Sequence, residues 1–240
     1  MSLFVYKNDF MRAVLKAVSR DKYYLYFCDY IDSKRYLKFY HQCVDRYHID
    51  MNKNARYRAK QKGLAVSQLF SYIDDTKQKI YFCLLVTEPS NEESRKEQSI
   101  FNVPLSDTRK KSTRLCLFDE YTLIKTPRIG KPPTYTFQLS DDRLSKWRMD
   151  IKHAVRQKDE MKQRQLHYNL LRVPKFNGVR KQAYKLLSLL DAERTRTYKI
   201  KHETQNFLCW VGKFKKPTLY PFDQLDHLWK KTKRKQYYYS

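Results

Sequence analysis

Five cations fall within ten residues at Lys53, Arg56, Arg58, Lys60 and Lys62, in the run NKNARYRAKQKG at 52–63. On a helix, which Gly63 would stop, these charges spread around the whole circumference and leave little apolar face. Such a helix repels itself in water, whereas along a phosphate backbone or in a groove each charge meets an anion. The plainer alternative is a solvated basic face. A second set, Lys146, Arg148, Lys152, Arg156, Lys158, Lys162 and Arg164, lies opposite an apolar stripe of Trp147, Ile151 and Val155. It offers an electrostatic footprint for duplex DNA, partly neutralised by Asp150, Asp159 and Glu160. In RVPKFNGVRKQAYK (172–185), Gly178 just before a helix, with Arg180 and Lys181, either presents backbone N–H groups to a phosphate or only shapes a turn. Finally, Lys230, Lys231, Lys233, Arg234 and Lys235 precede three tyrosines. This arm, 230–240, reads as solvated and phosphate-binding with stacking rings, or as a disordered tail or one folded against the body, or by composition as a nuclear-localisation run.

The residue types that usually carry catalysis are poorly arranged. The six histidines form no HxH pair, and no P-loop is present. Glu88 is followed by Pro-Ser, which breaks the acid-x-Lys pattern of a metal-dependent nuclease beside Asp74 and Asp75. Asp119 and Glu120 are the remaining pair for Mg²⁺, though such a pair at a strand end usually makes a turn. The five cysteines, Cys28, Cys43, Cys83, Cys116 and Cys209, are too far apart for zinc-ligand pairs and fit a reducing compartment. No catalytic residue, metal or cofactor is therefore expected.

The whole chain shares this charge. Fifty Lys and Arg face twenty-five Asp and Glu, a net charge of +25 on 240 residues. Self-repulsion of that size needs a polyanion to offset it, and nucleic acid is the commonest. An anionic membrane surface and simple basicity are the alternatives. Hydrophobic residues at 41% and aromatics at 15% supply a core, which excludes a disordered basic tail. No signal peptide and no 18-residue apolar run is found, so a cytoplasmic location without membrane contact is expected.

The elements that must hold these groups follow from periodicity. Residues 8–19 read as a helix burying Phe10, Met11, Val14, Leu15 and Val18. Residues 22–30 read as a strand. A helix capped by Ser33 follows, with Tyr36, Leu37, Tyr40, Val44 and Tyr47 at helical spacing. Residues 64–73 and 79–87 form an antiparallel hairpin whose second, almost wholly apolar strand is central. Residues 89–113 are expected to be a long loop, with room for one short helix, that is mobile or ordered by a ligand, and 114–118, 120–125 and 134–139 short strands, the last two separated by the turn RIGKPP. Helices opened by Ser140 and covering 159–171 and 179–193 come next, with a strand at 207–212. The predicted class is α+β. A small antiparallel sheet flanked by helices fills 1–139 and includes the basic helix 53–62. A mostly helical basic region fills 140–240 and ends in the arm.

Several segments together resemble basic proteins carried by conjugative plasmids and integrative elements, the mobilisation proteins of the MobI type. They are Arg56-Tyr57-Arg58-Ala59-Lys60-x-Lys62-Gly63, Leu84-Leu85-Val86-Thr87, Tyr121-Thr122-Leu123, Tyr135-Thr136-Phe137 before Trp147, and Arg172-x-Pro174-x-Phe176-x-Gly178-Val179-Arg180-x-Gln182. None is a catalytic motif. The resemblance implies DNA processing at a transfer origin beside a separate relaxase. The resulting expectation is a DNA-binding accessory factor at a transfer or replication origin of a mobile element. Its DNA would be duplex or origin DNA with single-stranded character, and a homodimer would suit a palindromic site. The open alternatives are a metal-dependent or tyrosine nickase, and an RNA-binding protein suggested by the twenty tyrosines.

Overall fold

The computed structural model describes residues 2–74, 77–90, 99–100, 103–199 and 216–225. They fall into two compact units, 1–115 with 216–240, and 116–215. The architecture is mixed, with helices, a six-stranded sheet and a three-stranded sheet.

In the first unit the chain forms β1 (Ser2–Phe4), α1 (Lys7–Asp21) and β2 (Leu25–Asp32). It continues through α2 (Ser33–Tyr47) and α3 (Lys53–Gln61) to β3 (Ser67–Asp74) and β4 (Lys79–Val86). Short strands β5 (Ser99–Ile100), β6 (Val103–Pro104) and β7 (Ser106–Asp107) follow. The pairings β1–β3, parallel, and β3–β4 and β4–β2, antiparallel, put β1, β2 and β3 in one direction. Two helical crossovers therefore step across the sheet, β1 to β2 and back from β2 to β3. Crossovers keep one hand, so two that step in opposite directions land on opposite faces. The contacts agree. Phe10 of α1 lies 5.7 Å from Tyr81, and Phe39 of α2 lies 4.3 Å from Phe82, ring to ring. Covered twice, β4 is buried from Ile80 to Val86, which is why its sequence is a continuous apolar run.

Helix α2 departs from the expected stripe. Its buried face is Tyr36, Phe39, Cys43 and Tyr47, while Leu37 is exposed. Aromatic residues on both sides of this helix blur the period. The Tyr36 hydroxyl reaches Ser71 Oγ at 2.6 Å, which fixes the rotation that periodicity left ambiguous. Asp32, not Ser33, occupies the N-cap position, without a side-chain cap. The segment expected as one mobile loop is pinned where it is described. Strand β7 extends the sheet beside β2, and the Arg109 guanidinium bridges Asp107 and Glu88 at 2.8 Å each. Residues 91–98 and 101–102 lie outside the described residues. The sheet is completed by β11 (Leu219–Pro221), which pairs with β1, giving the order β11-β1-β3-β4-β2-β7.

In the second unit β8 (Cys116–Leu117), β9 (Tyr121–Arg128) and β10 (Lys131–Leu139) form an antiparallel sheet. The two expected short strands are the inner parts of one longer hairpin whose turn is Ile129–Gly130, with Gly130 at φ 64°. Pro132 and Pro133 are tolerated because β10 is an edge strand and its register shifts there. Leu139 marks a change from strand to helix inside this unit. Three helices follow: α4 (Asp141–Arg156), capped by Ser140, α5 (Glu160–Leu171), capped by Asp159, and α6 (Asn177–Tyr198). They share a core of Trp147, Ile151, Val155, Leu166, Leu170, Ala183 and Leu187.

Helix α6 lies unusually close to β10. A Cβ on Gly178 would fall on the Phe137 carbonyl oxygen, far inside contact distance. The Gly178 N–H donates to Thr136 Oγ1 at 3.2 Å. One turn on, Gln182 accepts from Leu139 N at 2.6 Å and donates to Leu139 O at 3.4 Å. Gly178→Ala should therefore cost roughly 2–3 kcal/mol in a denaturant titration, because backbone, not a flexible side chain, is in the way. Gly130→Ala, in open space but left-handed, should cost about 1 kcal/mol.

Burial raises the Asp107 carboxyl, but the side-chain and backbone bonds from Arg109 outweigh it and hold the pKa below the usual carboxylate value. A depressed folded pKa gives stability that is complete above the unfolded value, about 4, and is lost as pH falls through the folded one. Unfolding midpoints measured from pH 7 to pH 3 should show this loss. Arg109→Ala should lower stability at neutral pH and flatten the acid limb.

Candidate nucleic-acid interface

Helix α3 starts because Asn52 caps it, accepting from Ala55 N at 2.9 Å, and it ends at Gly63, φ 75°. Its cations divide into two sets. Lys60 donates from Nζ to the Asp21 carbonyl at 2.9 Å and sits 4.2 Å from the Tyr23 ring centre. Burial lowers its pKa. Arg56, one turn back and half-buried, lies beside the Tyr23 hydroxyl. Burial is the larger influence on Tyr23 and raises its pKa despite that guanidinium. Arg56 and Lys60 thus fasten α3 to the carboxyl end of α1, where a cation also meets the negative end of the helix dipole. Lys53, Arg58 and Lys62 point outward with Tyr57, which is 64% exposed, and α3 contains no acid. The five cations expected to act together are therefore three outward charges and two structural ones.

The second unit has a cleft of about 500 Å³ walled by β9, β10, α4 and α6. Ile124, Leu144, Leu186 and Leu189 give it apolar surface. Arg148 stands on one wall, and Lys181 and Lys185, one turn apart, on the other. All three are exposed, no acidic side chain lines the cleft, and none of the three is paired with a carboxylate among the described residues. Like charges one helical turn apart repel, so this arrangement is relieved by an anion. Gly178 and Gln182, which seat α6 against β10, form part of its wall.

The remaining predicted residues are distributed unevenly. Lys152 is exposed one turn beyond Arg148, and Lys181 is in the cleft. Arg156 is 3.8 Å from the buried Glu193, which Arg196 holds at 2.7 Å. Arg180 is half-buried, with an enclosed Nε that has no hydrogen-bond partner. The Gly178 N–H, for which a phosphate contact was one of two readings, is taken by Thr136. Asp119 and Glu120 form a turn between β8 and β9, and Ser140 bonds both of their carbonyls. Among the described residues no three His, Cys, Asp or Glu side chains gather as a metal site, and no helix is long and apolar enough to cross a membrane. Lys230, Lys231, Lys233, Arg234 and Lys235 lie outside the described residues, as does the strand expected at 207–212. Of the seven tyrosines between positions 23 and 47, Tyr23, Tyr36 and Tyr47 are buried and the other four are half-buried, so the expectation that most of them are core holds for fewer than half. Lys185 and the tip of the β9–β10 hairpin were not singled out by sequence reasoning. The four-residue spacing of Lys181 and Lys185 was the available signal for the first. No family model matches this chain, and neither a curated protein nor a solved structure does.

The division within α3 can be measured directly. Lys60→Ala should lower stability by about 1–2 kcal/mol through loss of the carbonyl bond and the ring contact. The triple change Lys53→Ala, Arg58→Ala, Lys62→Ala should leave the melting temperature within a degree or two, since exposed sites of this kind are near neutral.

Proposed function

We propose that this chain is a non-enzymatic nucleic-acid-binding protein that holds duplex DNA. The observation that carries this is the cleft of the second unit, where Arg148, Lys181 and Lys185 converge without an acid. A phosphate is the ligand that suits three converging cations, and the apolar wall suits the sugar and base edge beside it. The outward face of α3 adds Lys53, Arg58 and Lys62 in the first unit. The surplus of +25 supports the reading, since counterion release from DNA turns such a charge into affinity. Service at a transfer or replication origin of a mobile element, beside a relaxase, is part of the proposal and rests on the resemblance given above. Tyr57, standing in the open among the cations of α3, favours a second mode in which single strands or RNA stack there. Competition among duplex, single-stranded DNA and RNA ranks the modes.

Fluorescence anisotropy with a labelled duplex tests the main reading. Wild-type affinity should fall by about three orders of magnitude between roughly 50 and 200 mM salt. Changing Arg148, Lys181 and Lys185 to Ala together should weaken binding at least tenfold at moderate salt and reduce the salt slope by about three. A flat salt response, or a triple variant that binds like wild type, removes the cleft from the interface.

A further inference from the structure

The turn joining β9 to β10 projects an apolar side chain into open solvent. Ile129 is 105% exposed, and every residue from Pro127 to Pro133 is exposed. Apart from Gly130 and its two chain neighbours, no heavy atom lies within 4 Å of the position a Cβ would take on Gly130. Evolution of a soluble surface does not require an isoleucine there, and a turn tip normally carries polar residues. The tip is also stiff. Arg128 and Lys131 face each other in register across the Ile129–Gly130 turn, and three prolines, Pro127, Pro132 and Pro133, fix the backbone on both sides. Below them Thr126 Oγ1 ties the strands by donating to Thr134 O at 3.1 Å. The ribbon is basic throughout: between Tyr121 and Ser140 the ionisable side chains other than tyrosine are Lys125, Arg128 and Lys131, with no acid. Neither Arg128 nor Lys131 has a carboxylate partner among the described residues.

We propose that this tip is a minor-groove wedge that bends duplex DNA, with Ile129 entering between two base pairs and Arg128 and Lys131 lying on the flanking phosphates. The inference rests on the DNA-binding reading above and adds what the protein does to the DNA. Apolar wedges flanked by cations are how proteins unstack a base step from the minor groove and kink the duplex. The dimensions fit. Three exposed residues per strand make an arm about 10 Å long, against a groove about 7.5 Å deep. With Gly130 beside Ile129, the tip brings one bulky side chain, not two, to a groove about 6 Å wide. The arm continues the cleft. Alternation along β9 puts Ile124, Thr126 and Arg128 on one face, and the first two line the cleft. One DNA backbone can therefore run from Arg148, Lys181 and Lys185 to Arg128 within this unit.

The experiment uses the full-length chain and duplexes of 20–30 base pairs, some rich in A·T steps, labelled at both ends for energy transfer. Anisotropy on the same samples gives affinity. Wild type should bind and bring the ends closer. Ile129→Ser should bind within about fivefold of wild type yet leave the duplex nearly straight. Arg128→Ala with Lys131→Ala should lose about tenfold in affinity. Since these side chains are exposed, thermal melts of the variants should match wild type. A wild-type complex without end-to-end shortening overturns the wedge, as does an Ile129→Ser complex bent as fully as wild type. Absence of binding to any duplex overturns the DNA reading itself, a separate result from binding without bending.

Discussion

The second unit is organised by the approach of α6 to β10 at Gly178. Ordinary helix–sheet packing leaves room for a side chain, but here the helix backbone rests against the Phe137 carbonyl and there is none. The two hydrogen bonds from Gln182 to the ends of Leu139 then hold the next turn down. With the first turns of α6 seated so deeply, Lys181 and Lys185 come to line the same cleft as Arg148. The same contact braces the inner half of β10, so the outer half of the hairpin extends from a rigid base. A methyl group at one position would therefore disturb packing, cleft and ribbon together.

The excess charge is divided by use. Arg109 bridges Asp107 and Glu88, Lys60 caps a helix end over Tyr23, and Arg196 with Arg156 compensates the buried Glu193. These cations close the structure and are unavailable to a ligand without loss of contacts. Others, such as Lys53, Arg58, Arg148, Lys181 and Lys185, are exposed on their helices. Charge surplus alone does not distinguish the two groups. What separates them is whether a carbonyl, ring or carboxylate lies within reach, and that is a property of tertiary contact.

That distinction explains how far the sequence could be read. Helix α1, the β3–β4 hairpin and the Ser140 cap were legible, because local periodicity and capping chemistry determine them. The apolar run of β4 rightly signalled a central strand. The face of α2 was misjudged because aromatic residues lie on both sides and a long-range bond to Ser71 decides the rotation. Strand β7 was missed because two residues carry no period, and their pairing to β2 is non-local. Gly178 was noticed, with a phosphate contact and a simple turn as the two readings. Its neighbour turned out to be a carbonyl on a strand forty residues away, which no local pattern reveals. Lys60 was placed with its exposed neighbours, since composition cannot show that Asp21 and Tyr23 lie beneath it.

The pairing of β11 with β1 has a consequence for how the chain comes together during synthesis. Leu3 and Tyr220 are partners in one sheet, and Thr218 N donates to Asp9 Oδ2 across 209 positions of sequence. The second unit is encoded entirely between them. On the ribosome the three-stranded sheet and its helices are complete before β11 emerges, so the inserted unit can mature first. Until then β1 presents an open edge, which is the kind that invites pairing with another chain. Closure of that edge is the late, long-loop step of folding, and its speed is governed by loop entropy more than by local propensity.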